Sequence, residues 1–222
     1  DSKTDVADSM ADNNAILLMI NGYDGQGPEV NLPGQYLFED ETPVEGDKWY
    51  MNNNFNHRDA AFEEIFHLVH DLGIGTYITA ARPDYQSDLL AEAEAALDDG
   101  RWGIPIDPGI NQWINELRKE NSLAQEYIAS VIDSYYGLWG PWTESDGGMW
   151  GIYIAKTRDE IESLDPKGKE LLEQFLTPYL TYEVRLDPSL DQDFDLNFDA
   201  GKPYTHKSRY LVNITLTGSN SV

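Results

Sequence analysis

Glu63, Glu64, His67 and His70 are the residues whose types and spacing point most directly to chemistry. They lie in the run Phe62-Glu63-Glu64-Ile65-Phe66-His67-Leu68-Val69-His70-Asp71-Leu72-Gly73, which holds two of the four histidines in the chain. With helical rotation of about 100° per residue and Glu63 at 0°, His67 falls near ~40°, His70 near ~−20°, Asp71 near ~80° and Glu64 near ~100°. Five side chains able to ligate a metal therefore share one side of a helix. Phe62, Ile65, Phe66, Val69 and Leu72 occupy the remainder, so most of the helix circumference is expected to be buried. Buried carboxylate and imidazole need compensation, which a bound cation supplies. The pattern predicts a metal or catalytic site. The competing interpretation is local: the histidines pair with neighbouring acids and face a wet cleft.

The motif helix is expected to start at an Asp59 cap and to stop at Gly73. Before it, Ala15-Ile16-Leu17-Leu18-Met19-Ile20 reads as a buried strand ended by Asn21-Gly22, and Gln35-Tyr36-Leu37-Phe38 as a weaker one. After it come mostly helices: Ser87 to Asp98, Asn111 to Glu120 with Trp113, Ile114 and Leu117 as its buried stripe, and a helix following Ser122 and ending near Tyr136-Gly137. Ile152-Tyr153-Ile154 is a candidate strand. Asp165-Pro166 opens a further helix to about Phe175. From Leu180 the period changes to two, and Tyr182 to Leu186 and Tyr210 to Thr217 read as strands.

The motif resembles H-E-x-x-H-x-V-D-D, the metal-binding helix of zincin metallopeptidases related to the anthrax lethal factor catalytic domain. In Glu63-Glu64-Ile65-Phe66-His67 the second His and the Glu are kept, and Glu63 stands in place of the first His. That family takes its third ligand from a helix with a pattern close to E-F-F-A-E-A-F-x-x-Y. Here Glu126-Tyr127-Ile128-Ala129-Ser130-Val131-Ile132-Asp133-Ser134-Tyr135 matches it at Glu126, Ala129 and Tyr135. The resemblance implies zinc held by Glu63, His67 and Glu126, with Glu64 as the general base that activates a bound water. His70, one helical turn from His67, is expected as an additional nitrogen ligand. A one-His, two-carboxylate set lowers the Lewis acidity of the metal. The family's upstream tyrosine has no counterpart, since Arg118, Lys119 and Glu120 occupy that region.

A second cation site is expected near the C-terminus. In Asp191-Gln192-Asp193-Phe194-Asp195-Leu196-Asn197-Phe198-Asp199 the alternation puts Asp191, Asp193, Asp195, Asn197 and Asp199 on one strand face. Such a face either binds calcium or is an ordinary solvated surface matched by Lys202, Lys207 and Arg209. Leu196 stands where an EF-hand needs glycine, so the run is not an EF-hand.

The formal charge is −25 over 222 residues. This argues against nucleic acid or an anionic membrane as a partner. An apolar fraction of 41% with six Trp and thirteen Tyr indicates a folded core. No cysteine is present, so thiol chemistry and disulfides are excluded, and no run is long enough to span a membrane. No P-loop, dinucleotide fingerprint or second E-x-x-H appears, and His57 and His206 read as surface or turn residues.

The sequence predicts an α+β protein: a flexible acidic leader over 1–14, a zincin-like helical core with a small mixed sheet over 15–178, and a β-rich acidic segment over 179–222. The expected function is a secreted or cell-surface, zincin-like metal-dependent peptidase or degenerate relative, acting on a peptide or protein substrate. The alternative is a non-catalytic, calcium-stabilised extracellular structural or adhesive module, self-assembling or set within a larger parent protein.

Overall fold

The structure, a computed structural model, describes residues 3–23, 32–42, 60–76, 80–105, 107–139 and 146–176. Among these, seven α-helices and one small sheet are present: α1 (Thr4–Asp12), β1 (Leu17–Ile20), β2 (Gln35–Phe38), α2 (Ala61–Val69), α3 (Pro83–Asp98), α4 (Pro108–Glu120), α5 (Leu123–Tyr135), α6 (Arg158–Leu164) and α7 (Pro166–Phe175). The composition is compatible with α+β. The C-terminal strands and the acidic run predicted from the sequence lie outside the described residues.

Helix α5 is central among the described elements. It packs against α2, α3, α4, α6 and α7, and each of its residues except Glu126 is buried. It is buried on nearly all sides although Gln125, Ser130, Asp133 and Ser134 are polar. Around it, Asp107 caps α4 by accepting from the Ile110 amide at 2.9 Å, and Asn121 ends that helix at φ 61°. Thr157 and Glu160 form a reciprocal cap on α6.

The sheet is a two-stranded parallel pair, with Leu17 opposite Gln35 and Ile20 opposite Phe38. Strand β2 lies against α2. Ile152-Tyr153-Ile154, predicted as a strand, contributes only isolated bridges from Tyr153 to Trp102 and to Gly148. No helix among the described residues is long and apolar enough to cross a membrane.

Two local features differ from the sequence expectation. The segment read as a flexible leader contains α1, whose Val6 is buried. The motif helix, expected to run to Gly73, changes at His70 into a π-helical turn over His70–Gly75. Helix α1 and this turn hold each other. Ser9 Oγ donates to the Leu72 carbonyl at 2.8 Å, and a Cβ at Gly73 would meet Val6 Cγ1 at 2.6 Å. The Gly73 and Ile74 carbonyls accept from the Ala81 and Arg82 amides at 3.0 and 3.1 Å. The wide turn thus has its free carbonyls satisfied from outside the helix.

Candidate metal centre

Helix α2 is pinned by its aromatic residues. Phe62 packs on Tyr136 (centroids 4.7 Å) and Phe66 on Phe175 (5.7 Å), while Ile65 faces outward. This rotation turns Glu63 and His67, one turn apart, towards α5. There they meet Glu126, the one α5 residue not packed away. His67 Nε2 stands 3.9 Å from Glu63 Oε1 and 3.8 Å from Glu126 Oε1. One ligand atom from each of the three lies within 4.8 Å of the others. Glu63 and His67 are 4% and 7% exposed, so solvent screens this convergence poorly.

This group can hold a metal ion. Two donors about 2.1 Å from a tetrahedral ion stand roughly 3.4 Å apart, so the observed separations close with small side-chain rotations. An imidazole and two carboxylates form a borderline-to-hard donor set for a divalent cation.

Glu64 takes a different position. Its Oε2 is 3.8 Å from His67 Nδ1, the ring nitrogen opposite the one that faces Glu63 and Glu126. It accepts a 2.6 Å hydrogen bond from Gln35 Nε2 on β2. Gln35 is therefore part of the site, although in the sequence it is only the first residue of a weak strand.

His70, the additional nitrogen ligand expected from the sequence, is fully buried beside α3, where its Nε2 is 2.5 Å from Gln86 Oε1. It is not among the three converging residues. Burial lowers its pKa to about 4, with the Gln86 contact opposing, so the ring is neutral near pH 7. Asp71 bonds Thr76 Oγ1 and Gln125, the α5 residue adjacent to Glu126, and burial raises its pKa. Arg118 forks onto Glu94 of α3 at 2.5 and 3.0 Å. Asp191, Asp193, Asp195, Asn197 and Asp199, with His57 and His206, lie outside the described residues.

A second buried polar cluster involves the same central helix. Asp165, completely buried, accepts from Tyr127 Oη and Tyr153 Oη at 2.8 Å each. It also pairs with Arg101 Nη1 and caps α7 through the Gly168 amide at 3.4 Å. Burial, followed by the Asp165 charge, raises the pKa of both phenols, so they remain hydrogen-bond donors. Arg101 continues outward to Glu92 at 2.6 Å and Asp99 at 3.2 Å. Nothing in the sequence marked Asp165 beyond its role as a helix cap.

No protein-family description, curated protein or solved structure matches this chain.

Proposed function

We propose that this chain is a zincin-like metal-binding domain, a degenerate relative of the peptidases its motif resembles. Glu63, His67 and Glu126 hold one divalent ion, with zinc the first candidate. The observation carrying this reading is the convergence of Glu63 Oε1 and Glu126 Oε1 on one imidazole nitrogen, from two separate helices. A carboxylate in place of the first histidine leaves a more anionic centre, which weakens activation of a bound water. The strongly acidic composition suits a secreted or surface-exposed protein that handles cations.

A second reading, an active peptidase, is favoured by the retention of Glu64 beside His67. When bound, the metal would polarise the scissile carbonyl. Glu64 would then take the proton of the attacking water, acting as general base.

Metal analysis of the full chain, purified without chelator and then supplied with Zn2+, tests the first reading. One equivalent of zinc, lost in both H67A and E126A, is the expected result. Zinc uptake unchanged in H67A would overturn it. Digestion of an unstructured protein such as casein by the zinc-loaded chain, abolished in E64Q with zinc retained, would favour the second reading instead.

A further inference from the structure

The geometry points to a positioning role for Glu64: with Gln35, it orients the His67 ring by engaging Nδ1, leaving Nε2 to the metal. This inference rests on the reading of Glu63, His67 and Glu126 as a metal site and assigns Glu64 a part other than water activation.

The two edges of the His67 ring have different neighbours. Nε2 faces the carboxylates of Glu63 and Glu126 at 3.9 and 3.8 Å. Nδ1 faces Glu64 Oε2 at 3.8 Å. A neutral imidazole that gives its Nε2 lone pair to a metal must carry its proton on Nδ1. That proton points towards Glu64, and a small rotation of either side chain brings the pair within hydrogen-bond reach. A carboxylate receiving the distal N–H of a metal-bound histidine fixes the ring orientation and raises its basicity as a ligand.

Gln35 supplies the second half of the device. Its side chain reaches from β2 to donate to Glu64 Oε2 at 2.6 Å, and β2 packs on α2. The same carboxylate oxygen that approaches Nδ1 is therefore tethered to the sheet. This connects β2 to the metal-ligand helix through a chain running Gln35, Glu64, His67. The tether keeps Glu64 on the Nδ1 edge of the imidazole, opposite the Nε2 edge that faces Glu63 and Glu126.

The test is Zn2+ affinity of the full-length chain, measured by competition with a chromophoric chelator, for wild type, E64A, E64Q and Q35A. Thermal stability in excess EDTA is followed in parallel. Loss of a partner to a metal-bound histidine costs about 10–100-fold in affinity. E64A is expected to fall in that range. E64Q, which keeps an acceptor oxygen, should lose less, and Q35A should lie between wild type and E64A. Nitrogen-edited proton NMR of the zinc-loaded chain gives a readout that loosened packing would not move. The His67 Nδ1–H signal is expected to be protected from exchange in wild type, and in E64A to shift and exchange rapidly.

Wild-type zinc binding with unchanged affinity and unchanged Nδ1–H in E64A would overturn the Glu64 role while leaving the metal site standing. The same holds for an E64A affinity loss matched by a fall in the EDTA-state melting temperature with the Nδ1–H signal unaltered, which marks general loosening. A wild-type chain that takes up no zinc overturns the role and the metal site together.

Discussion

The two buried polar clusters against α5 have opposite balances of donors and acceptors. At Asp165, two phenols, a guanidinium and a backbone amide surround one carboxylate. At His67 Nε2, two carboxylates approach one imidazole nitrogen. The first arrangement neutralises a charge with groups belonging to the fold. The second gathers acceptors of one sign around a point where a cation gains most. Burial alone does not distinguish the two, because Asp165, Glu63 and His67 are all nearly or wholly inaccessible. The chemistry of the neighbours does. A donor-surrounded carboxylate locks elements together, whereas the converging carboxylates and imidazole could hold a metal ion.

Breaking the first cluster should produce the largest effect. Removing one partner of a buried ion pair costs about 3–5 kcal/mol. Asp165→Ala would leave Arg101, Tyr127 and Tyr153 without their shared acceptor and α7 without its cap. Urea unfolding is expected to show that loss, with D165N less severe because one oxygen can still accept. If D165A cost no more than an exposed substitution, the contrast between the clusters would be lost.

Acid is expected to destabilise the fold through His70. Its folded pKa is about 4 against 6.5 for a free histidine. As pH falls, the unfolded chain takes up the proton first. The stability associated with keeping the ring neutral is thus intact above pH 6.5 and is lost as pH falls towards 4. Over that window the loss approaches about 3 kcal/mol. Denaturation curves in EDTA at pH 7.5 and pH 5 should show about 2 kcal/mol of it, and H70N should remove this contribution to the pH dependence.

Metal supplies the third test. At a zinc concentration one hundred times Kd, binding to the folded state alone adds about 2.7 kcal/mol. Calorimetry is expected to show a zinc-dependent rise in Tm for wild type and none for H67A or E126Q. A conservative change in the other cluster, Y153F, should leave that rise in place. The smallest effect expected is that of Ser9→Ala, which removes one hydrogen bond to the π-helical turn and costs about 1 kcal/mol. Amide exchange at Ala81 and Arg82 should report whether that turn has loosened.

The legible part of the site was the part written within one helix. Glu63 and His67 sit four residues apart, and that spacing alone puts them on one face. Glu126 entered only through the family resemblance, because the convergence of two helices leaves no periodic trace. Gln35 and Gln86 were invisible for a related reason: a glutamine opening a weak strand, or just ahead of a predicted helix, shows nothing of which distant group it will bond. The motif helix was foreseen, but its change to a π-helical turn at His70 was not. That change accompanies packing against α1, which reads locally as a polar leader. His70 shares the stripe of Glu63 on an ideal wheel, yet the folded chain commits it to Gln86. Tertiary contacts outweighed the wheel.

Helix α5 buries every residue but Glu126, and this ties the placement of that carboxylate to folding itself. Sliding the helix by a single residue would swing Glu126 by about 100° into the hydrophobic interior and bring a neighbour to its window. Such a slip would misplace twelve packed side chains at once. An alternative register would therefore be eliminated as a folding failure before it could appear as a chain that folds normally but has lost its carboxylate. The interior of the protein acts as proofreader for the placement of Glu126, and deletions between α4 and α5 should yield either the intact Glu63, His67 and Glu126 cluster or no folded protein.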